Sequence, residues 1–246
     1  MAMAMVMKYV EEWDERLQEP REGKALLLAV LAWSAAFATL RFVLLPKRSG
    51  DFCNRFVSQL HVVVALVLSS LSVQDWSHPF HPLAAPASPL QIRAMSVSLA
   101  YFVYDFLCCL ILAPGDISTA VHHIVSILSL AYGFFYATSG TELVACLWLM
   151  ELSNPFMHAR EMLKDFGLKD TWVNLCNDAC FALIFTCARL VIGPYLVFVT
   201  LRANNPLLVK LGAVGMQLVS LFWFYKIVRL VRYKLLKGYR SRSKKL

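Results

Sequence analysis

The 246-residue sequence predicts an all-α, multi-pass membrane protein with seven transmembrane helices. Three observations predict it. Apolar residues make up 59% of the chain and charged residues 16%, and the mean hydropathy is +0.58; a soluble domain carries about 45–50% and about 25%. Seven segments are long enough for a hydrocarbon core about 30 Å thick, which needs about 20 residues at a helical rise of 1.5 Å. Turn-forming and charged residues separate them.

The spans are placed near 25–45, 52–73, 92–112, 117–138, 142–163, 172–199 and 207–231. Residues 11 to 24, "EEWDERLQEPREGK", are too polar for the apolar core of a secretory signal, so the first span is expected to be retained. The fifth is the most interrupted, by Glu151, Asn154 and Pro155. Residues 74 to 91 carry four prolines and predict an extended surface loop, in which His78 and His81 are read as solvated side chains rather than metal ligands. The organisation expected is a polar segment 1–24, a first span 25–45, a helical domain 46–235 and a basic tail 236–246.

Net charge is +8, and residues 229 to 246 are dense in Lys and Arg and lack acids. Such a tail suits an anionic cytoplasmic leaflet, and no soluble fold is present to carry a nucleic-acid surface. The positive-inside rule places it in the cytosol, with Lys47, Arg48, Arg160, Lys164 and Lys169 on the same side. Seven spans then put the amino terminus in the lumen. The seven cysteines form no CxxC pair and read as buried, reduced thiols. The ending "RSKKL" loosely matches a cytosolic di-basic retrieval signal and points to the endoplasmic reticulum.

Ionisable groups within spans mark functional sites by default. At 1.5 Å per residue His122 lies about 8 Å into span four, with Asp178 at a similar depth in span six and Asp105 about 10 Å into span three. Neighbours on a helix point about 100° apart, so His122 and His123 diverge. His122 shares a stripe with Ser118, Ser126, Ser129 and Gly133, while His123 sits at its edge, towards a neighbouring helix. Glu151, Asn154 and His158 share a face of span five, and Pro155 leaves the Glu151 carbonyl without its helical donor. Asn174, Asp178 and Arg189 share a face of span six. Arg189, Asn174 and Glu142 are read as interhelical fasteners. A metal held by His122, His123 and His158 is disfavoured because adjacent histidines diverge, so no metal is expected.

Four ordered segments, "PLQIRAMSVSLAYFVYD" (89–105), "HHIVSILSL" (122–130), "SGTELVACLWLMELSNPFMHAR" (139–160) and "CARLVIGP" (187–194), resemble the TLC domain family, and most closely its small members. The resemblance covers about residues 45 to 235. It implies that the last six helices form a TLC-type helical barrel around a lipid cavity, with span one alongside. In the ceramide synthases of that family the motif HxxHHxxT lines the cavity, and the first residue of its HH pair is implicated in carrying an acyl group. By position that residue is His122, with His123 beside it. The leading His of the motif is Thr119 here and its last Thr is Ser126. The downstream HD pair is Met150–Glu151, and a later Asp is Asn154.

Two functions are therefore carried forward. One is a barrel that binds acyl lipids and serves membrane lipid homeostasis. The other is an acyl-CoA-dependent lipid acyltransferase, with His122 as nucleophile or base and Glu151 orienting it. In the second, acyl-CoA is co-substrate and Arg160, Lys164 or Lys169 meets its phosphates. His122, His123 and Glu151 are the catalytic candidates. Asp105, Ser126, Asn154, His158, Asp178, Arg160 and Lys164 are the substrate-binding ones. Membrane lipids are the expected partners, without nucleic acid.

Overall fold

The computed structural model describes residues 20–112 and 115–243. Most of the segment 1–24 and the last residues of the tail lie outside them. Helix α1 runs over Pro20–Ala38 and continues as a π-helical stretch over Thr39–Leu44. Helices α2 (Gly50–Leu71), α3 (Pro89–Leu112) and α4 (Ile117–Tyr136) follow. The fifth predicted span is two 12-residue helices, α5 (Gly140–Glu151) and α6 (Asn154–Asp165). The sixth is α7 (Trp172–Phe185), a π stretch over Thr186–Ile192 and α8 (Gly193–Arg202); α9 (Leu207–Ser243) is the last.

Among the described residues, six helices, the first included, are long and apolar enough to cross a membrane. The split fifth segment is the exception, and Pro155 explains it. A proline lacks the amide that the carbonyl four residues back would accept, and its ring crowds that carbonyl. The chain therefore stops at Glu151 and restarts at Asn154 with the proline in the first turn.

Helix starts follow the side chains that can satisfy free amides. The Ser49 hydroxyl accepts from the Phe52 amide (3.1 Å), Asp116 from Thr119 (3.3 Å) and Thr171 from Asn174 (3.3 Å). Ser88 and Gln91 cap α3 reciprocally (2.9 and 3.3 Å), as the S-x-x-Q spacing allows. The proline-rich loop consequently ends at Ser88, three residues earlier than the sequence suggests, with Pro89 in the first turn of α3.

Contacts close a ring: α2 packs on α3, α3 on α4, α4 on α9, α9 on the π stretch and α8, these on α5, and α5 and α6 back on α2. Helix α1 stays outside, against α3 and α2. Met95, Leu99, Phe102, Leu130, Phe134, Leu143 and Leu147 fill the core between α3, α4 and α5. Leu31, Val63, Ile111, Leu183 and Leu218 face outward and are more than half exposed, as surfaces against lipid tails are. Arg48, Arg160, Lys164, Lys169 and Lys226 gather at one end, here the basic end. The loop over residues 72–88 covers the other.

That loop is clasped to the bundle. The Ala87 amide donates to the Ala137 carbonyl (2.8 Å) and the Ser139 amide to Ala85 (2.9 Å). Oε1 of Glu142 accepts from the Ala84 amide (2.5 Å) and from Asn205 Nδ2 (2.8 Å), the fastening role expected of it. His78 and His81 lie in this loop, with His78 Nδ1 3.2 Å from Asp75. Asp75 is held below the usual carboxylate range by the Ser77 amide and by His78.

A candidate lipid chamber at the histidine pair

Helices α3 and α4 are packed neighbours close in sequence, so residues equally far from their adjoining ends meet. Asp105 and His123 are such a pair, and His123 Nε2 lies 2.8 Å from Asp105 Oδ2. Its Nδ1 lies 2.8 Å from the Thr119 carbonyl, which can only accept; Nδ1 therefore carries a proton, and one more is shared between Nε2 and Asp105. The other Asp105 oxygen accepts from Asn54 Nδ2 (2.7 Å), whose carbonyl accepts from the Tyr104 hydroxyl (2.7 Å). The edge position of His123, turned to a neighbouring helix, is thus the geometry observed.

His122 points elsewhere. Its ring lies 5.0 Å from that of Trp223 on α9 and 5.7 Å from that of His123, and its enclosed Nδ1 has no partner among the described residues. It stands between two spaces. Towards the basic end a chamber of about 620 Å³ is walled by His122, His123, Asp105, Glu151, Asn154, His158, Arg160 and Arg189 among others. Towards the opposite end a narrower slot of about 60 Å³ is walled mainly by Leu130, Leu143, Leu147, Leu149, Leu196, Val209 and Met216. Phe102 and His122 line both.

Seven of the ten candidate residues therefore meet in one chamber. Three do not. Ser126 lies one helical turn deeper, where it lines the slot and donates to its own helix at the His122 carbonyl (2.8 Å). Asp178 lies outside the wall and faces Arg160 Nε at 3.0 Å, because α7 packs on α6 at that level. Lys164 is not part of the wall itself; its Nζ lies 2.5 Å from Glu161, a wall residue one turn back on α6. The carboxylate expected to orient His122 also differs. Glu151 accepts from Asn154 Nδ2 (3.0 Å), and the acid that holds the histidine pair is Asp105, acting on His123. The break after Glu151 turns its side chain to the restart of the chain.

Arg189 is the interhelical fastener expected of it and, beyond that expectation, a wall residue of the chamber. It projects from the π stretch into the chamber wall, 2% exposed. Its Nη2 donates to the Met150 carbonyl and to Asn154 Oδ1 (3.0 Å), where α5 breaks. Its guanidinium lies 4.8 Å from the centre of the Phe185 ring and 5.5 Å from Trp223. Its own carbonyl, released by the wide turn, accepts from Gln217 Nε2 (3.2 Å). A signal existed: an arginine within an apolar run is a functional candidate by default. Asn54, which ties Asp105 down, lies in the first turns of α2, where a lone uncharged polar residue carries no signal of its own.

Charges around the chamber nearly balance, with Arg55, Arg160, Arg189 and Lys226 against Asp51, Asp105, Asp116, Glu151 and Glu161. Asp116 stands at the mouth. Burial would raise its carboxyl, but hydrogen bonds from Ser118 and Thr119 outweigh that and hold it below the usual carboxylate range. For a metal, the ligand atoms of Asp105, Cys109 and His123 lie within 4.8 Å of one another, a grouping other than His122, His123 and His158. Two of its three members already satisfy each other.

Comparison with known proteins agrees with this architecture. The family model described as the TLC domain matches residues 51–229. A putative TLC domain-containing protein of Acanthamoeba polyphaga mimivirus is 24% identical over 148 residues, which cover 57% of this chain and 73% of the viral protein. The matched region spans the whole helical ring from the start of α2 into α9, well over half of the chain, and the chain belongs to the TLC domain family.

Proposed function

We propose that this membrane protein binds an acyl lipid inside its helical ring and contributes to membrane lipid homeostasis, most naturally in the endoplasmic reticulum with the basic end cytosolic. The observation that carries the reading is the position of His122 and Phe102, which border both the polar chamber and the apolar slot. An amphiphile with a polar head and a single chain matches such a joint: the head stays among hydrogen-bonding groups and the tail displaces no water-bonded surface. Lipid co-purification tests it. Protein extracted in mild detergent is expected to retain acyl lipid by mass spectrometry. Ala213→Leu, whose added volume is close to that of the slot, is expected to lose that lipid while keeping the melting behaviour of the wild type. Equal lipid in both proteins would overturn the reading.

A second reading is acyl transfer through His122, favoured by the absence of a protein partner on its Nδ1. A neutral imidazole nitrogen would bond to the thioester carbonyl carbon of acyl-CoA while the carbon–sulfur bond breaks. The departing thiolate would take the imidazole proton; a lipid hydroxyl or amine would then bond to the acyl carbon as the acyl–imidazole bond breaks, and its proton would return to the imidazole nitrogen. Binding stands ahead of it because Arg160 and Lys164, two of the cations that acyl-CoA phosphates would need, are engaged by Asp178 and Glu161. Intact mass after incubation with acyl-CoA separates the two. An acyl adduct present in wild type and lost in His122→Ala supports transfer, and no adduct leaves binding.

A further inference from the structure

Each arginine that lines the chamber near an acid has found it, except one. Arg55 lies 2.7 Å from Asp51 and Arg160 lies 3.0 Å from Asp178. Around Arg189, 2% exposed, the described residues place no carboxylate within 4.0 Å. Its Nη2 is satisfied by a carbonyl and an amide oxygen, while Nε and Nη1 have no partner. A guanidinium cannot shed its proton, and taking it out of water without a countercharge is strongly unfavourable. Contact with the Phe185 and Trp223 rings offsets only part of that. Glu151 meets the arginine only through Asn154, which donates to one and accepts from the other.

We infer that Arg189 receives the carboxylate of a long-chain fatty acid whose tail lies along the chamber with its end reaching into the slot. This rests on the lipid-binding reading above and names its ligand. Local charge argues for a monoanion: Arg189 has no contacting carboxylate, while the chamber as a whole already holds five acids to four cations, so a dianionic phosphate would add a still larger negative excess in a low-dielectric wall. Position argues for an acyl chain. Trp223 touches both Arg189 and His122, and His122 is where the chamber passes into the slot. A head at Arg189 therefore directs its chain past His122 and Phe102.

The test compares three probes on the detergent-purified full chain: palmitic acid, its methyl ester, and lysophosphatidic acid with the same chain. Wild type is expected to prefer the acid to the ester by about tenfold or more, since a buried charge pair is lost with the ester. Arg189→Gln is expected to bind both alike, at the wild-type affinity for the ester; Arg189→Lys, the variant that keeps the charge, is expected to retain part of the preference. Glu151→Gln is expected to hold the acid as tightly as wild type or more so, because a competing negative charge is gone. A preference that survives in Arg189→Gln, equal binding of acid and ester by wild type, or lysophosphatidic acid bound more tightly than the fatty acid would overturn the inference. Retained ester binding shows that the lipid-binding reading stands apart from it, whereas failure to bind any of the three overturns both.

Discussion

At the scale of single residues, the chamber mouth offers a pH-dependent element. Asp116 caps α4 through the Thr119 amide and also accepts from the Ser118 and Thr119 hydroxyls. Because the folded state holds its carboxyl low, its contribution is present above the ordinary carboxylate range and fades as the pH falls through the lowered value. Asp116→Ala is expected to destabilise the protein by about 0.5–2 kcal/mol, as lost caps do, and to remove that acid limb. Asp116→Asn should keep most of the cap and also lose the acid limb. Thermal melts from pH 3 to 7 in detergent check both. The histidine pair was legible in the sequence because two imidazoles in an apolar run have few bland explanations. The carboxylate that holds it was not, since helix phase alone cannot say which neighbour packs alongside. The fastening role of Arg189 was legible as well; its place in the chamber wall was not, because the π stretch over Thr186–Ile192 adds a residue to the turn and a face counted at 3.6 residues from Asn174 does not carry through to it.

At the scale of elements, all seven segments could be read from apolar length, but the split of the fifth could not, because its polar residues are an interruption rather than a pattern. Glu151, Asn154 and Pro155 look like flaws in a membrane helix. In the fold they are the junction that exposes the Met150 carbonyl and Asn154 to Arg189. The opposite end of α5 depends on close approach. A Cβ on Gly140 would stand 2.4 Å from Gln91 Oε1 and 2.9 Å from the Ala87 Cα, the second a backbone atom that cannot step aside. Gly140→Ala is therefore expected to cost about 1–3 kcal/mol, as overpacking does, and to loosen the loop that α5 and Glu142 clasp. Gly23→Ala, where nothing stands within 4 Å, should be neutral. Melting temperature and the rate of proteolysis within residues 72–88 measure the two effects.

At the scale of the whole molecule, the split fifth segment decides the topology. Its two helices have 12 residues each, about 36 Å at 1.5 Å per residue if stacked end to end, which is enough for a core of about 30 Å. If they cross, three passages separate residues 77 and 169, and the two positions lie on opposite faces. Cations at the basic end then place residue 169 in the cytosol by the positive-inside rule. The expected outcome can be measured with a membrane-impermeant maleimide on sealed microsomes, cytosolic face outward, after the exposed Cys176, Cys180 and Cys187 are changed to serine. Lys169→Cys should label in intact vesicles and Ser77→Cys only after permeabilisation. The reverse pattern would turn the molecule over and put the chamber mouth in the lumen, away from cytosolic acyl donors. Labelling of both from outside would mean that α5 and α6 fold back on one side, and the chamber could not then reach the slot through the ring.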